Sequence, residues 1–218
     1  NGEVNTTYGC EQILGDDRKT FRGVYVHPEV ITHKHIQTAF KAGRYFGKEL
    51  AGLGYRGYFD IDLVISKEDK VYAVESNMRR TGGTHLHEAA ISLLGRNYAK
   101  ENHVIGEDII LPEQTKTSYE ECSALLADLN YKQDIKTGFL FGNPDMLKVN
   151  IAHTFFFARS AEEMKNLRSL VHRRLHKAFF KNKTTDKNTQ ITTDEALFQE
   201  KAFGYQKESQ RTKIAASA

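Results

Sequence analysis

Asp60, Asp62, Glu75 and Asn77 stand at spacings that could gather hard oxygen ligands on one surface. They lie in two runs, residues 57–65 and 71–77, and each run alternates with the period of two expected of a β-strand. In the first, Phe59, Ile61, Leu63 and Ile65 point one way and Asp60 and Asp62 the other; in the second, Glu75 and Asn77 share a face. The short polar link at 66–70 suits a hairpin turn. A hairpin centred between Glu68 and Asp69 sets Asp62 opposite Glu75 and Asp60 opposite Asn77, whereas an odd loop would break that pairing. Directly opposed side chains have Cβ atoms roughly 4.5–5.5 Å apart, and like charges there repel. A cation between them removes that cost. Two carboxylates and an amide oxygen suit Mg²⁺ or Mn²⁺, ions that also hold phosphate oxygens. The plain alternative is a solvated sheet face with scattered acids.

The residues after Asn77 favour an anion as companion to the cation. Arg79 and Arg80 supply fixed cationic forks. Gly82 and Gly83 then lead into a helix capped by Thr84, with Leu86, Ala89, Ala90 and Leu93 as its apolar face and Gly95 as its stop. A glycine approach to a helix N-terminus offers free N–H groups and a favourable dipole to phosphate or carboxylate. His85 and His87 either assist or are exposed helix residues. Arginine pairs and Gly-Gly turns are common on surfaces; here it is their position directly after the acidic runs that gives them meaning.

These residues need elements to position them. Ile36, Ala39, Phe40, Phe46, Leu50 and Leu53 recur at helical spacing over about 32–53, with Gly52 and Gly54 to stop the helix, and this stripe should lie against the sheet. His33 and His35 do not face each other on a helix and read as solvated. Residues 1–29 read as a loop-rich start with one or two strands, and His27, before Pro28, as extended. Residues 96–117 read as irregular, broken by Pro112. Ser118 to Glu121 has capping-box spacing before Leu125, Leu126 and Leu129. Runs at 138–141 and 147–158 read as a strand pair about a Gly-Asn-Pro-Asp turn. A second capping box, Ser160 to Glu163, opens a helix with Met164, Leu167, Leu170, Val171 and Leu175 inside. Its basic face (Arg168, Arg173, Arg174, Lys177) reads as solvated, since no aromatic residues interleave with the charges to make a nucleic-acid surface. Beyond Lys181 the chain is polar, with a weak helical stretch near 195–203 and a frayed end.

Composition sets outer bounds. The 218 residues, 39% hydrophobic and 27% charged, can bury a sizeable core. A net charge of +3 does not argue for nucleic acid, and there is neither a long apolar run nor a leader at the start. Cys10 and Cys122 have no metal-ligand spacing, so a reducing, cytoplasmic setting is expected.

Residues 57–84 resemble the C-terminal half of the ATP-grasp domain, whose usual pattern is an Asp on one strand and Glu-x-Asn-x-Arg at the end of the next. Here these are Asp62 and then Glu75, Asn77 and Arg79, at a spacing similar to the family's. The sequel from Arg80 to His85 is similar to a subgroup of peptide ligases of the pheganomycin-biosynthesis type, and residues 118–175 loosely resemble that subgroup's C-terminal extension. The resemblance implies an α+β fold, a mainly antiparallel sheet flanked by helices: an ATP-grasp part at 1–97, an α/β extension at 98–180 and a polar, partly disordered tail at 181–218. It also implies ATP and Mg²⁺ (or Mn²⁺), with a small-molecule or peptide carboxylate phosphorylated by ATP to an acylphosphate that an amine then attacks. Asp62, Glu75 and Asn77 would hold the metal, and the family pattern selects Asp62 over Asp60. Arg79 would be the catalytic residue, steadying the transferred phosphate, with Arg80 sharing in phosphate binding. Gly82, Gly83, Thr84 and His85 would bind substrate. The lysines and glycine-rich flap of the first ATP-grasp subdomain are not found in residues 1–29, which implies an upstream subdomain as partner, with no nucleic acid and no membrane. Two other readings compete. Restriction-like metal nucleases also pair an Asp and a Glu on neighbouring strands, but place a lysine where this chain has Asn77. A non-catalytic nucleotide-binding fragment is the other.

Overall fold

Eight strands form one sheet in the order β4-β3-β8-β1-β2-β5-β7-β6, with every neighbouring pair antiparallel. The strands are β1 (Asn5–Leu14), β2 (Phe21–Val26), β3 (Tyr58–Ile65), β4 (Val71–Asn77), β5 (His103–Ile110), β6 (Gly138–Asn143), β7 (Ile151–Ala158) and β8 (Arg211–Ser217). The helices are α1 (Pro28–Thr32), α2 (Lys34–Gly52), α3 (Gly82–Leu94), α4 (Tyr98–Glu101), α5 (Tyr119–Leu126) and α6 (Ala161–Phe179). This is an α+β arrangement with a mainly antiparallel sheet. The computed structural model describes residues 3–17, 19–112, 117–179 and 211–217.

Strand alternation sorts the helices between two faces. Phe59, Ile61 and Leu63 of β3 pack on Ala39 and Leu50 of α2. On the same face Tyr25 of β2, Ile105 of β5 and Phe156 of β7 pack on Leu126 of α5 and on Met164, Val171 and Leu175 of α6. The opposite face joins Tyr8, Cys10, Val24, Val26 and Val104 to Leu86, Ala90 and Leu94 of α3 and Tyr98 of α4. Burying a Leu, Phe or Val side chain contributes roughly 1.5–3 kcal/mol, so these clusters dominate the fold's stability. The sheet is continuous across residue 97, because β2 pairs with β5 and β5 with β7.

Three expectations fail. Residues 103–110 are not irregular but form a central strand. Covered on both faces, it shows no alternation, and the charged Glu107 and Asp108 interrupt its apolar run. The basic face of α6 is not simply solvated. Arg168 donates to both carboxylate oxygens of the buried Glu107 at 2.8 and 2.9 Å through Nε, while His172 Nε2 lies 2.7 Å from the same carboxylate. Arg174 forks onto Asp128. The end of the chain, read as frayed, contributes β8, inserted between β1 and β3. The helical stretch expected at 195–203 lies outside the described residues.

Because β8 bonds to two strands, its loss would leave two facing edges of N–H and C=O groups unpaired. Deletion of residues 211–218 should lower the urea midpoint of unfolding and cause concentration-dependent association. Urea titration and sedimentation velocity would test this, and an unchanged monomer with an unchanged midpoint would contradict β8's place.

Candidate active site

The β3–β4 hairpin reaches the expected pairing by an unexpected route. Ile65 pairs with Val71, and Ser66 N–H donates to Lys70 C=O at 2.8 Å, so the loop spans residues 66–70 and is odd. Left alone, that loop would place Val74 opposite Asp62 and turn Glu75 to the α2 side of the sheet. A bulge prevents this. The register shifts between Asp62 and Leu63: Leu63 pairs with Ala73, but Asp62 with Glu75 and Asp60 with Asn77. Val74 is the extra residue, and its side chain is exposed. The bulge therefore returns Glu75 and Asn77 to the face of Asp60 and Asp62.

The loop is fastened to α2. His35 Nε2 lies 2.6 Å from Asp69 Oδ1, and Lys34 pairs with the same carboxylate. Lys34 and then His35 hold the Asp69 carboxyl below its ordinary value. His35 is thus buried and bonded rather than solvated, because Asp69, in the left-handed region at φ 64°, turns back over the helix start.

The acidic face is the face of α3. Asp60 is almost wholly buried, at 1% exposure, and its charge reaches the Tyr8 phenol. Burial first, then Cys10, Tyr98 and Asp60, push that phenol well above its usual value. Asp62 is half-buried, while Glu75, on the outer strand, is exposed. Asn77 Oδ1 accepts from Arg79 Nη2 at 3.2 Å. Arg79 is exposed and has no carboxylate partner among the described residues. Arg80 differs: it pairs with Glu88 of α3 and lies over the Tyr58 ring, 5.2 Å from its centroid. Tyr58 Oη donates to Glu88 as well, at 3.4 Å. The two arginines are therefore unequal. Arg79 sits beside the amide of the acid–amide set, and Arg80 is already balanced.

At the start of α3 the N-cap is Thr81, not Thr84. Thr84 occupies the third helical position, is buried, and accepts from Thr81 N–H through Oγ1 at 3.1 Å, so its hydroxyl serves the cap. Gly82 and His85 are exposed; Gly83 is buried. A Cβ on Gly83 would lie 2.2 Å from Tyr8 Oη, whereas one on Gly82 would meet nothing within 4 Å. Gly83 thus admits the phenol to the helix start. Gly83→Ala should cost about 1–3 kcal/mol of stability through overpacking, and Tyr8→Phe should recover most of that loss in the double variant. Denaturant unfolding of the four proteins checks the coupling; equal losses in both backgrounds would refute the contact.

Reading along the chain singled out Asp62, Glu75 and Asn77 as candidate metal ligands and both arginines as candidate phosphate binders. It missed the Val74 bulge and the Tyr58–Glu88 pair that restrains Arg80. Tyr58 lies at the start of the first acidic strand, so its chemistry was visible but its partner, 30 residues on, was not.

An acid–acid–amide face beside an arginine and a glycine-led helix start offers oxygen ligands to a divalent ion and cationic and N–H donors to an anion. Sequence comparison points the same way and more narrowly. Over 67 residues the chain is 37% identical to an L-propargylglycine–L-glutamate ligase of Streptantibioticus cattleyicolor. The match covers 31% of this chain and 14% of that protein, so the shared part is a small portion of the relative. The similarity to a peptide ligase thus extends over 67 residues of the chain. No protein-family model matches the chain.

Proposed function

We propose that this chain supplies the metal–phosphate half of the active site of an ATP-dependent carboxylate–amine ligase of the ATP-grasp type, working on small-molecule or peptide substrates. The observation that carries the reading is the bulge-set register of β3 and β4. It puts Asp62 opposite Glu75 and Asp60 opposite Asn77, on the side from which Arg79 rises.

The donor set fits a hard divalent ion: two carboxylates and one amide oxygen, all oxygen, on adjacent strands. Asp62, Glu75 and Asn77 would hold Mg²⁺. Such an ion would neutralise phosphate charge while the substrate carboxylate takes the γ-phosphoryl group of ATP, releasing ADP; the amine would then attack the acylphosphate carbonyl and displace phosphate. Arg79 is placed to hold the transferred phosphate, since its guanidinium lies against a neutral amide rather than a counter-ion. Arg80, balanced by Glu88, orients the start of α3 more than it binds phosphate. Gly82 N–H and His85 offer exposed donors to the substrate carboxylate; Gly83 and Thr84 shape the turn beneath them. In this reading residues 1–97 belong to the ATP-grasp part, 98–180 to an extension that continues its sheet through β5 and β7, and an upstream subdomain closes over the nucleotide. Cys10 and Cys122 are buried thiols, which suits a cytoplasmic setting. No helix among the described residues is long and apolar enough to cross a membrane.

The test is ADP formation by the protein containing this chain. It should need Mg²⁺ and both an amino-acid or peptide carboxylate and an amine. Metal-dependent cleavage of plain DNA without ATP would instead support a nuclease, which Asn77 in place of lysine argues against. Nucleotide binding with no turnover would support a non-catalytic module.

A further inference from the structure

The sheet carries a second group of ligating side chains, on the face opposite Asp62 and Glu75. Tyr25 of β2 and Ile105 of β5 face α5 and α6, and His27 and His103 lie two residues along the same strands on that side. His27 and His103 continue the β2–β5 pairing just past Val26 and Val104. Glu29, in the first turn of α1, leans back so that its Oε2 lies 2.7 Å from His27 Nδ1. One ligand atom from each of His27, Glu29 and His103 can be chosen so that all three lie within 4.8 Å of one another, the one group of its kind among the described residues.

Two further contacts point to a cation. His27 Nε2 is buried and makes no hydrogen bond, yet a second carboxylate oxygen, Glu11 Oε2, lies 3.5 Å from it. With its proton on Nε2, toward Glu11, the ring turns its Nδ1 lone pair on the Glu29 carboxylate, a clash that a second proton or a metal ion held by both groups removes. His103 is oriented from behind: its Nδ1 lies 2.5 Å from the Tyr25 hydroxyl, leaving Nε2 for a ligand. A hydrogen bond to the rear nitrogen is the usual support of a metal-binding imidazole.

We propose that His27, Glu29 and His103 form a structural site for a borderline divalent transition ion of the Zn²⁺ class, with the Glu11 carboxylate behind the far nitrogen of His27, pinning α1 to the ends of β2 and β5. Two imidazoles with carboxylates favour Zn²⁺ over the Mg²⁺ suited to the all-oxygen set on the other face. With Zn–N and Zn–O near 2.0–2.2 Å, ligand atoms of a tetrahedral site stand roughly 3.4 Å apart. Small side-chain rotations from the observed spacing reach that. The charge also balances, since two carboxylates and two neutral rings offset one dication.

Chelator-stripped protein titrated with Zn²⁺ by calorimetry should bind one equivalent and melt at a higher temperature, whereas Mg²⁺ should not compete at this site. Co²⁺ should give the visible absorption of a four-coordinate ion with nitrogen and oxygen ligands. Glu29→Gln, at an exposed carboxylate whose change should spare the fold, should weaken Zn²⁺ binding at least tenfold, and His103→Ala should abolish it. Asp62→Asn should leave it intact, which separates this site from the ligase face. Absence of saturable one-to-one binding would overturn the proposal, as would Glu29→Gln binding Zn²⁺ like the wild type.

Discussion

On the proposed ligase reading, Glu75→Gln is expected to reduce Mg-ATP turnover by the protein containing this chain by on the order of 10²–10³-fold, the range seen when a preorganised electrostatic contact to transferring charge is removed. The melting temperature should hardly move. Glu75 is exposed on an edge strand and no hydrogen bond ties it to the fold among the described residues, so its carboxylate is the only thing lost. The substitution keeps an oxygen ligand but removes the charge, and the deficit should shrink as Mg²⁺ is raised. Steady-state ADP formation across a Mg²⁺ series, with thermal unfolding in parallel, separates the outcomes. Wild-type turnover in the variant would remove Glu75 from the site. A change at Val74 tests the same geometry from the backbone side: with this bulge residue deleted, Glu75 follows Ala73 directly and falls opposite Asp62 in an unbulged ladder, so turnover should largely survive with β4 still paired.

The second large effect lies far from that face. Glu107→Gln should cost about 3–5 kcal/mol, because it leaves the Arg168 guanidinium and His172 facing a neutral amide in a buried setting. Burial by itself would push the Glu107 carboxyl up, but Arg168 and then His172 outweigh it and hold the group well below the carboxylate range. A carboxyl depressed in the folded state contributes stability above its unfolded value, near 4.5, and that contribution is lost as pH falls toward the folded value. Wild type should therefore weaken in acid below about pH 4.5, and Glu107→Gln should show a flatter profile there. Urea unfolding at a series of pH values measures both. Replacing Glu107 and Arg168 together by Leu should cost far less than either single change, since no unpaired charge remains. A small effect of Glu107→Gln alone would mean that the ion pair is not desolvated.

How much of this was legible in the chain depended on how local the cause was. Alternation exposed the faces of β3 and β4, because a strand with one apolar and one polar face writes its period directly into the sequence. Helical spacing exposed α2 and α6 for the same reason, and the capping boxes at Ser118 and Ser160 marked their helix starts, with Glu121 N–H donating to Ser118 Oγ at 3.1 Å and Glu163 N–H to Ser160 Oγ at 3.2 Å. β5 stayed hidden because helices cover both its faces, which removes alternation, and because its Glu107 is neutralised by a helix 61 residues further on. β8 stayed hidden because a strand inserted between two others draws its stability from partners that no local pattern names.

The acidic hairpin shows the division most clearly. The sequence by itself determined which residues are candidates for metal and phosphate: two acids, an amide and an arginine, on or just after strands whose apolar side had to face α2. Which of those side chains share a face was decided by the tertiary structure. An odd loop held by Asp69 against Lys34 and His35 would have separated Glu75 from Asp62, and the Val74 bulge brought them back together. Side-chain direction in a strand reverses with each residue of register, so a single extra residue, placed by packing, decides whether the ligands can meet.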